Sequence, residues 1–269
     1  MHTIERFTKI APTLAIALGL SSQAAFAATY TDVLGDGQGS ANLLRDLSSA
    51  EISNDANNLY IKLNMNPGAN LATGGSFNYA IGITTGPGAG GDTSANATTH
   101  GNPYTRSISF DSSLGGMTDF IGIFGAGGSG SVASPFTSYG FNTYAWNTNG
   151  VSLTWSKTFQ ANSGMPLSSQ PSTSIPNSID LTIPMSAFEV NLSLTPGTTI
   201  YFDIFSTGTS GNQTAYDSLV VQGLIQGTFN STAQFNATTL YSYTIVPEPT
   251  TGAFLAIAGL ILAGFKRRV

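Results

Sequence analysis

The 269-residue chain contains no cysteine, so neither disulfides nor thiol catalysis enter its fold or its chemistry. Charge is also scarce, at 9% of residues, and the basic residues gather at the two ends. Only Arg45, Lys62, Arg106 and Lys157 lie between residues 28 and 245, against twelve of the fourteen acids, which gives this body a net charge of −8. Such a surface repels nucleic acid and anionic lipid, and suits divalent cations and neutral polymers. The body has one histidine, His100, in a loop rich in Asn, Thr and Gly. Zinc therefore lacks a ligand cluster, and no G-x-S-x-G element surrounds any serine for a hydrolase triad. Glycines at Gly86, Gly88, Gly91 and at Gly125, Gly127, Gly130 have dinucleotide-site spacing, but both runs continue into Ser, Thr, Ala and Pro rather than into a helix. No stretch of the body has the 3.6-residue apolar period of a long helix.

What the chain does have begins with two hydrophobic ends. Residues 1–27 read as a secretory signal peptide. Arg6 and Lys9 precede the apolar run Ala11–Leu20, and Ala25-Phe26-Ala27 has the small-x-small form that signal peptidase accepts. Residues 246–269 hold Pro247-Glu248-Pro249, an uncharged run over 250–265, then Lys266-Arg267-Arg268 before Val269. At 1.5 Å per residue the run reaches roughly 24 Å as a helix, a marginal transmembrane span. The terminal basic cluster belongs on the cytoplasmic face.

These three parts, in this order at the C-terminus, resemble the PEP-CTERM sorting signal of Gram-negative bacteria. The resemblance implies export, a transient inner-membrane anchor and processing by an exosortase, with delivery to the cell surface or extracellular polysaccharide matrix. A plain C-terminal membrane anchor is the simpler alternative.

Between the ends, apolar residues recur at every second position in short runs, the period of half-buried strands. Leu59–Met65, Phe77–Ile83, Ser107–Phe110, Phe120–Phe124, Val151–Trp155, Ser178–Ile183 and Thr199–Phe205 are expected strands. Asn54–Asn58 forms a hairpin turn, since Asn and Asp bond their own backbone. Pro184–Phe188 is expected to make one helical turn. The fold class is all-β, an antiparallel, jelly-roll-like β-sandwich over residues 28–220, with 221–245 either a last strand or a polar spacer. The order of Asp46-Leu47, Asn58-Leu59-Tyr60-Ile61, Ile179–Ser186 and Ile200–Ile204 resembles the DOMON and family-9 carbohydrate-binding-module superfamily. That resemblance implies a sandwich that binds sugar, calcium or haem, or that supports a neighbouring enzyme; His100 matches a haem ligand poorly.

Two candidate sites follow. The segment Thr31–Ser40 carries Asp32 and Asp36 among glycines, an oxygen-rich loop of the kind calcium uses; the alternative is a turn in which both acids bond nearby amides. Trp146, with Tyr144 and Asn147, is a candidate glycan platform or a core ring, whereas Trp155, in phase with Val151 and Leu153, is expected in the core. Asp111, Asp119, Asp180 and Asp203 qualify for glycoside hydrolysis by residue type only. The expected function is therefore that of an exported, non-enzymatic surface or matrix protein. A carbohydrate-binding module is the alternative, and a surface glycoside hydrolase the third reading.

Overall fold

The computed structural model describes residues 27–36, 43–94, 107–147, 154–169, 173–188, 190–208, 215–221 and 235–247. The chain divides into a body, Ala27–Val246, and a second unit made of Met1–Phe26 and Pro247–Val269. The expected signal peptide with Ala25, and the tail with Glu248, Pro249, Lys266, Arg267 and Arg268, lie outside the described residues. Among the described residues no helix is long and apolar enough to cross a membrane.

The described body is all-β. Its strands in chain order are β1 (Ala28–Thr31), β2 (Leu47–Asn54), β3 (Asn58–Met65), β4 (Asn78–Thr84), β5 (Ile108–Phe110), β6 (Asp119–Ala126) and β7 (Ser138–Asn147). There follow β8 (Thr154–Pro166), β9 (Ser178–Pro184), β10 (Thr199–Thr207), β11 (Ala215–Ser218), β12 (Phe235–Ala237) and β13 (Tyr241–Thr244). One antiparallel sheet has the order β1-β2-β3-β9; the larger one runs β11-β10-β4-β6-β7-β8, with β13 also pairing β10.

The alternation seen in the sequence places one side of each strand in a shared core. Leu59, Ile61 and Leu63 of β3 pair with Ile183, Leu181 and Ile179 of β9. They pack into one cluster with Tyr79, Ile81 and Ile83 of β4, Ile121 and Ile123 of β6, and Ile200, Phe202 and Ile204 of β10. Each such side chain contributes about 1.5–3 kcal/mol on burial. The hairpin between β2 and β3 turns on Asp55, whose carboxylate accepts from the Asn57 and Asn58 amides, both at 2.7 Å, and from the Tyr60 hydroxyl at 2.5 Å. The Tyr60 bond foremost, with those amides, holds Asp55 below the usual carboxylate range. After Pro184, Met185–Phe188 forms the expected single turn, of 3-10 type, and buries Phe188.

The larger sheet is covered on its outer face as well. Ala80, Phe120 and Phe205 meet Ile108, Phe110, Phe235 and Ala237 there, brought over by β5 and β12, which pair in parallel. Gly82 makes the close approach possible, because a Cβ there would stand 2.6 Å from the Phe110 ring. Burial on both faces explains why β4 and β10 read as nearly continuous buried runs.

The body does not end at residue 220. β13 pairs Tyr241–Thr244 with Phe202–Thr199, and Tyr243 and Ile245 enter the main core. The side-chain amide of Asn54 then accepts from the Val246 amide and donates to its carbonyl, both at 3.0 Å, and accepts from the Tyr243 hydroxyl at 2.8 Å.

Candidate metal centre

At the end of β1 the chain leaves the sheet through Asp32, whose amide still donates to Ser48. It then turns at Gly35, where φ of 86° is the left-handed conformation that glycine adopts without strain. The loop is pinned from below: the Gly35 amide donates to both carboxylate oxygens of buried Asp46, at 2.9 and 3.1 Å, and Asn66 donates to the same group at 2.6 Å. Asp217, wholly buried on β11, approaches from the other sheet. Its Oδ2 accepts from the Leu47 amide at 2.7 Å and its Oδ1 from Ser218 at 3.0 Å. One carboxylate oxygen from each of Asp32, Asp36 and Asp217 lies within 4.8 Å of the others.

That spacing fits a hard cation. Two oxygens on a calcium coordination sphere of about 2.4 Å radius are at most about 4.8 Å apart, and an all-oxygen donor set selects calcium or magnesium over zinc or copper. The electrostatics favour a countercharge. Two ionised carboxylates at this separation repel by roughly 3 kcal/mol at an effective dielectric near 20, less where solvent screens the half-buried Asp32 and Asp36. Burial first, then repulsion from Asp32 and Asp36, pushes Asp217 up to about 8. Behind it Asp203 is pushed up to about 8 by burial, although it accepts from Ser218 Oγ at 2.6 Å and from the Ile204 and Val220 amides. A dication in the cluster would take the place of the proton that Asp217 otherwise keeps.

Asp32 and Asp36 are thus brought together with a third acid that sequence reasoning missed. The available signal was an acid inside the otherwise neutral run Ala215–Val221. Of the two roles open to Trp146, glycan platform or core ring, the structure shows the buried one. Trp146 is 4% exposed, so neither ring face is open for stacking. β7 pairs it with Trp155 of β8, ring centroids 5.5 Å apart. Trp155, expected in the core, is the half-buried ring of the pair and donates to Asp92 at 3.0 Å. Tyr144 and Asn147 are half-buried on the same strand. His100 lies outside the described residues. Of the acids grouped by type, Asp119 and Asp203 are buried, Asp111 caps a 3-10 turn, and Asp180 is exposed on β9, where it accepts from Ser168 at 2.7 Å. Comparison with protein-family models, with curated proteins and with solved structures finds no match to this chain.

Proposed function

We propose that this chain is an exported, non-enzymatic surface or matrix protein whose jelly-roll-like body is stabilised by a calcium ion held by Asp32, Asp36 and Asp217. The convergence of these three carboxylates, from segments at opposite ends of the body's sequence, carries the reading. The ion would fasten the N-terminal segment of the mature body to β11 of the larger sheet, and so lock the two sheets at one edge. Its ligands are side chains on a sheet edge and in an adjoining loop, and no substrate-sized cavity is needed for this role. Export rests on the signal-like residues 1–27. Association with extracellular polysaccharide rests on the resemblance of residues 246–269 to an exosortase sorting signal, with a transient inner-membrane anchor over 250–265. The partners are then signal peptidase and an exosortase-type enzyme.

Calorimetric titration of the purified body with calcium tests the site. One ion per chain is expected, with proton release near neutral pH because Asp217 must ionise to bind. Asp217→Asn, which keeps an acceptor for the Leu47 amide, is expected to abolish that binding. Absence of saturable heat in the wild type, or unchanged binding in the variant, overturns the assignment.

A further inference from the structure

We propose that the loop Asp32–Asp36, with calcium bound, docks the body on a phospholipid surface, Val33 and Leu34 entering the headgroup layer and a lipid phosphate reaching the ion. This docking rests on the metal centre proposed above, whose partner it names. Among the described residues six large aliphatic side chains are exposed, and three of them stand at this one place: Val33 at 56%, Leu34 at 49% and Leu43 at 37%. Val33 and Leu34 fall between the two acids of the loop, so one short segment offers both ion ligands and an apolar tip. Leu43 joins them across Asp46. Its Cδ1 would stand 2.7 Å from a Cβ at Gly68, the Gly68 amide donates to Asn66, and Asn66 and Gly35 both donate to the Asp46 carboxylate.

The tip is held out rather than left slack. On one side the Asp32 amide donates to Ser48 at 2.9 Å and the Asp32 carboxylate accepts from the Val33 amide at 2.8 Å; on the other the Gly35 amide is bound by Asp46. Aliphatic side chains fixed in water in this way gain by entering an apolar layer. Three of them fall far short of the about 800 Å² per partner that a stable protein interface buries, whereas a membrane interface accepts a few apolar side chains beside an ionic contact. Nor are they the flat aromatic rings on which sugars stack. With one oxygen from each acid the ion holds three protein ligands, against the about six to eight oxygens that calcium takes. Asp217 is wholly buried while Asp32 and Asp36 are half-buried, so further ligands enter from the solvent side, where the tip stands. A phosphate oxygen is the hard donor that suits them. The body's net negative charge opposes an anionic bilayer, so the headgroup is zwitterionic: its phosphate reaches the ion while its cationic group cancels the surface charge.

The test is sedimentation of the body Ala27–Val246, a compact unit with its own core and without the apolar run 250–265, with phosphatidylcholine vesicles in excess calcium and in chelator. Wild type is expected to bind saturably in calcium and at least about tenfold more weakly in chelator. Val33→Asn with Leu34→Asn, at positions outside the core, is expected to bind calcium as wild type does in calorimetry and to lose at least about tenfold in vesicle affinity. Soluble phosphocholine at the same phosphate concentration is expected not to release the protein, because it offers the ion a ligand but the tip no apolar layer. Wild type that binds calcium but no vesicles overturns the docking and leaves the metal centre standing. Vesicle binding that survives chelator or the double substitution, or release by phosphocholine, also overturns it, and calorimetric calcium binding then decides the metal centre separately. A calcium-dependent dimer that the double substitution abolishes, with no vesicle binding, would assign the tip to a second copy instead.

Discussion

Asp119 stands in phase with Ile121 and Ile123 on β6, which puts a carboxyl on the core face of the larger sheet at 1% exposure. Among the described residues no group forms a hydrogen bond of normal geometry to either oxygen, and only the Thr118 hydroxyl lies near enough to act on the carboxyl. Burial pushes the group up to about 7, and the neighbouring Thr118 hydroxyl only moderates the shift. The folded state therefore binds a proton that the unfolded chain releases near pH 4. Stability from this group is complete below pH 4, falls as pH rises to about 7, and is flat beyond. Replacing Asp119 with Leu removes the titration. Urea unfolding of wild type and Asp119→Leu from pH 4 to pH 8 is expected to show the variant's advantage growing by up to about 4 kcal/mol, nearly all of it below pH 7. A constant difference across that range would mean that Asp119 titrates as an ordinary surface acid.

At the scale of elements, β13 shows how the body is closed. Ile245 exchanges hydrogen bonds with Gly197 and Thr198, and the Asn54 amide holds both backbone groups of Val246, so the chain is knit into the fold up to the residue before Pro247. Residues 241–246 thus give no spacer, and the proline-bounded motif follows the folded body directly in sequence. Mass spectrometry of surface and medium fractions is expected to find mature C-termini at or shortly after Val246, without the apolar run 250–265. Intact chain ending at Val269 in those fractions would leave a simple membrane anchor.

The strands themselves were readable because alternation is local: Leu59, Ile61 and Leu63 announce β3 without reference to anything else. The buried outer face of the larger sheet was not readable. Phe120 and Phe205 look solvent-facing by period until β5 and β12, far apart in sequence, cover them. Trp146 is buried too, but by Trp155 of the neighbouring strand, a pairing that alternation within one strand does not announce. Asp32 and Asp36 were legible as an oxygen-rich loop, whereas Asp217 joins them only through the pairing of β11 with β10.

Across the body as a whole, the two ends of the sandwich differ in character. Ala28 pairs with Ile52, and Asn54 holds Val246, so both chain ends of the body meet at one end of β2. Asp46 and the Leu47 amide that Asp217 accepts from lie at the other, seven residues or about 23 Å along the strand. The acidic cluster is thus set as far from the chain ends as β2 allows. With a net charge of −8, the body gains from any dication that neutralises this end without ordering further chain. A ligand that binds only the folded state at about a hundred times its dissociation constant adds about 2.7 kcal/mol, and each kcal/mol raises the melting temperature of a domain of this size by about 2–4 °C. The decisive measurement is therefore thermal unfolding of the body in excess calcium and in chelator, for wild type and Asp217→Asn. Wild type is expected to melt about 5–10 °C higher with calcium, and the variant at one temperature in both; superimposable wild-type curves would contradict a metal-locked sandwich.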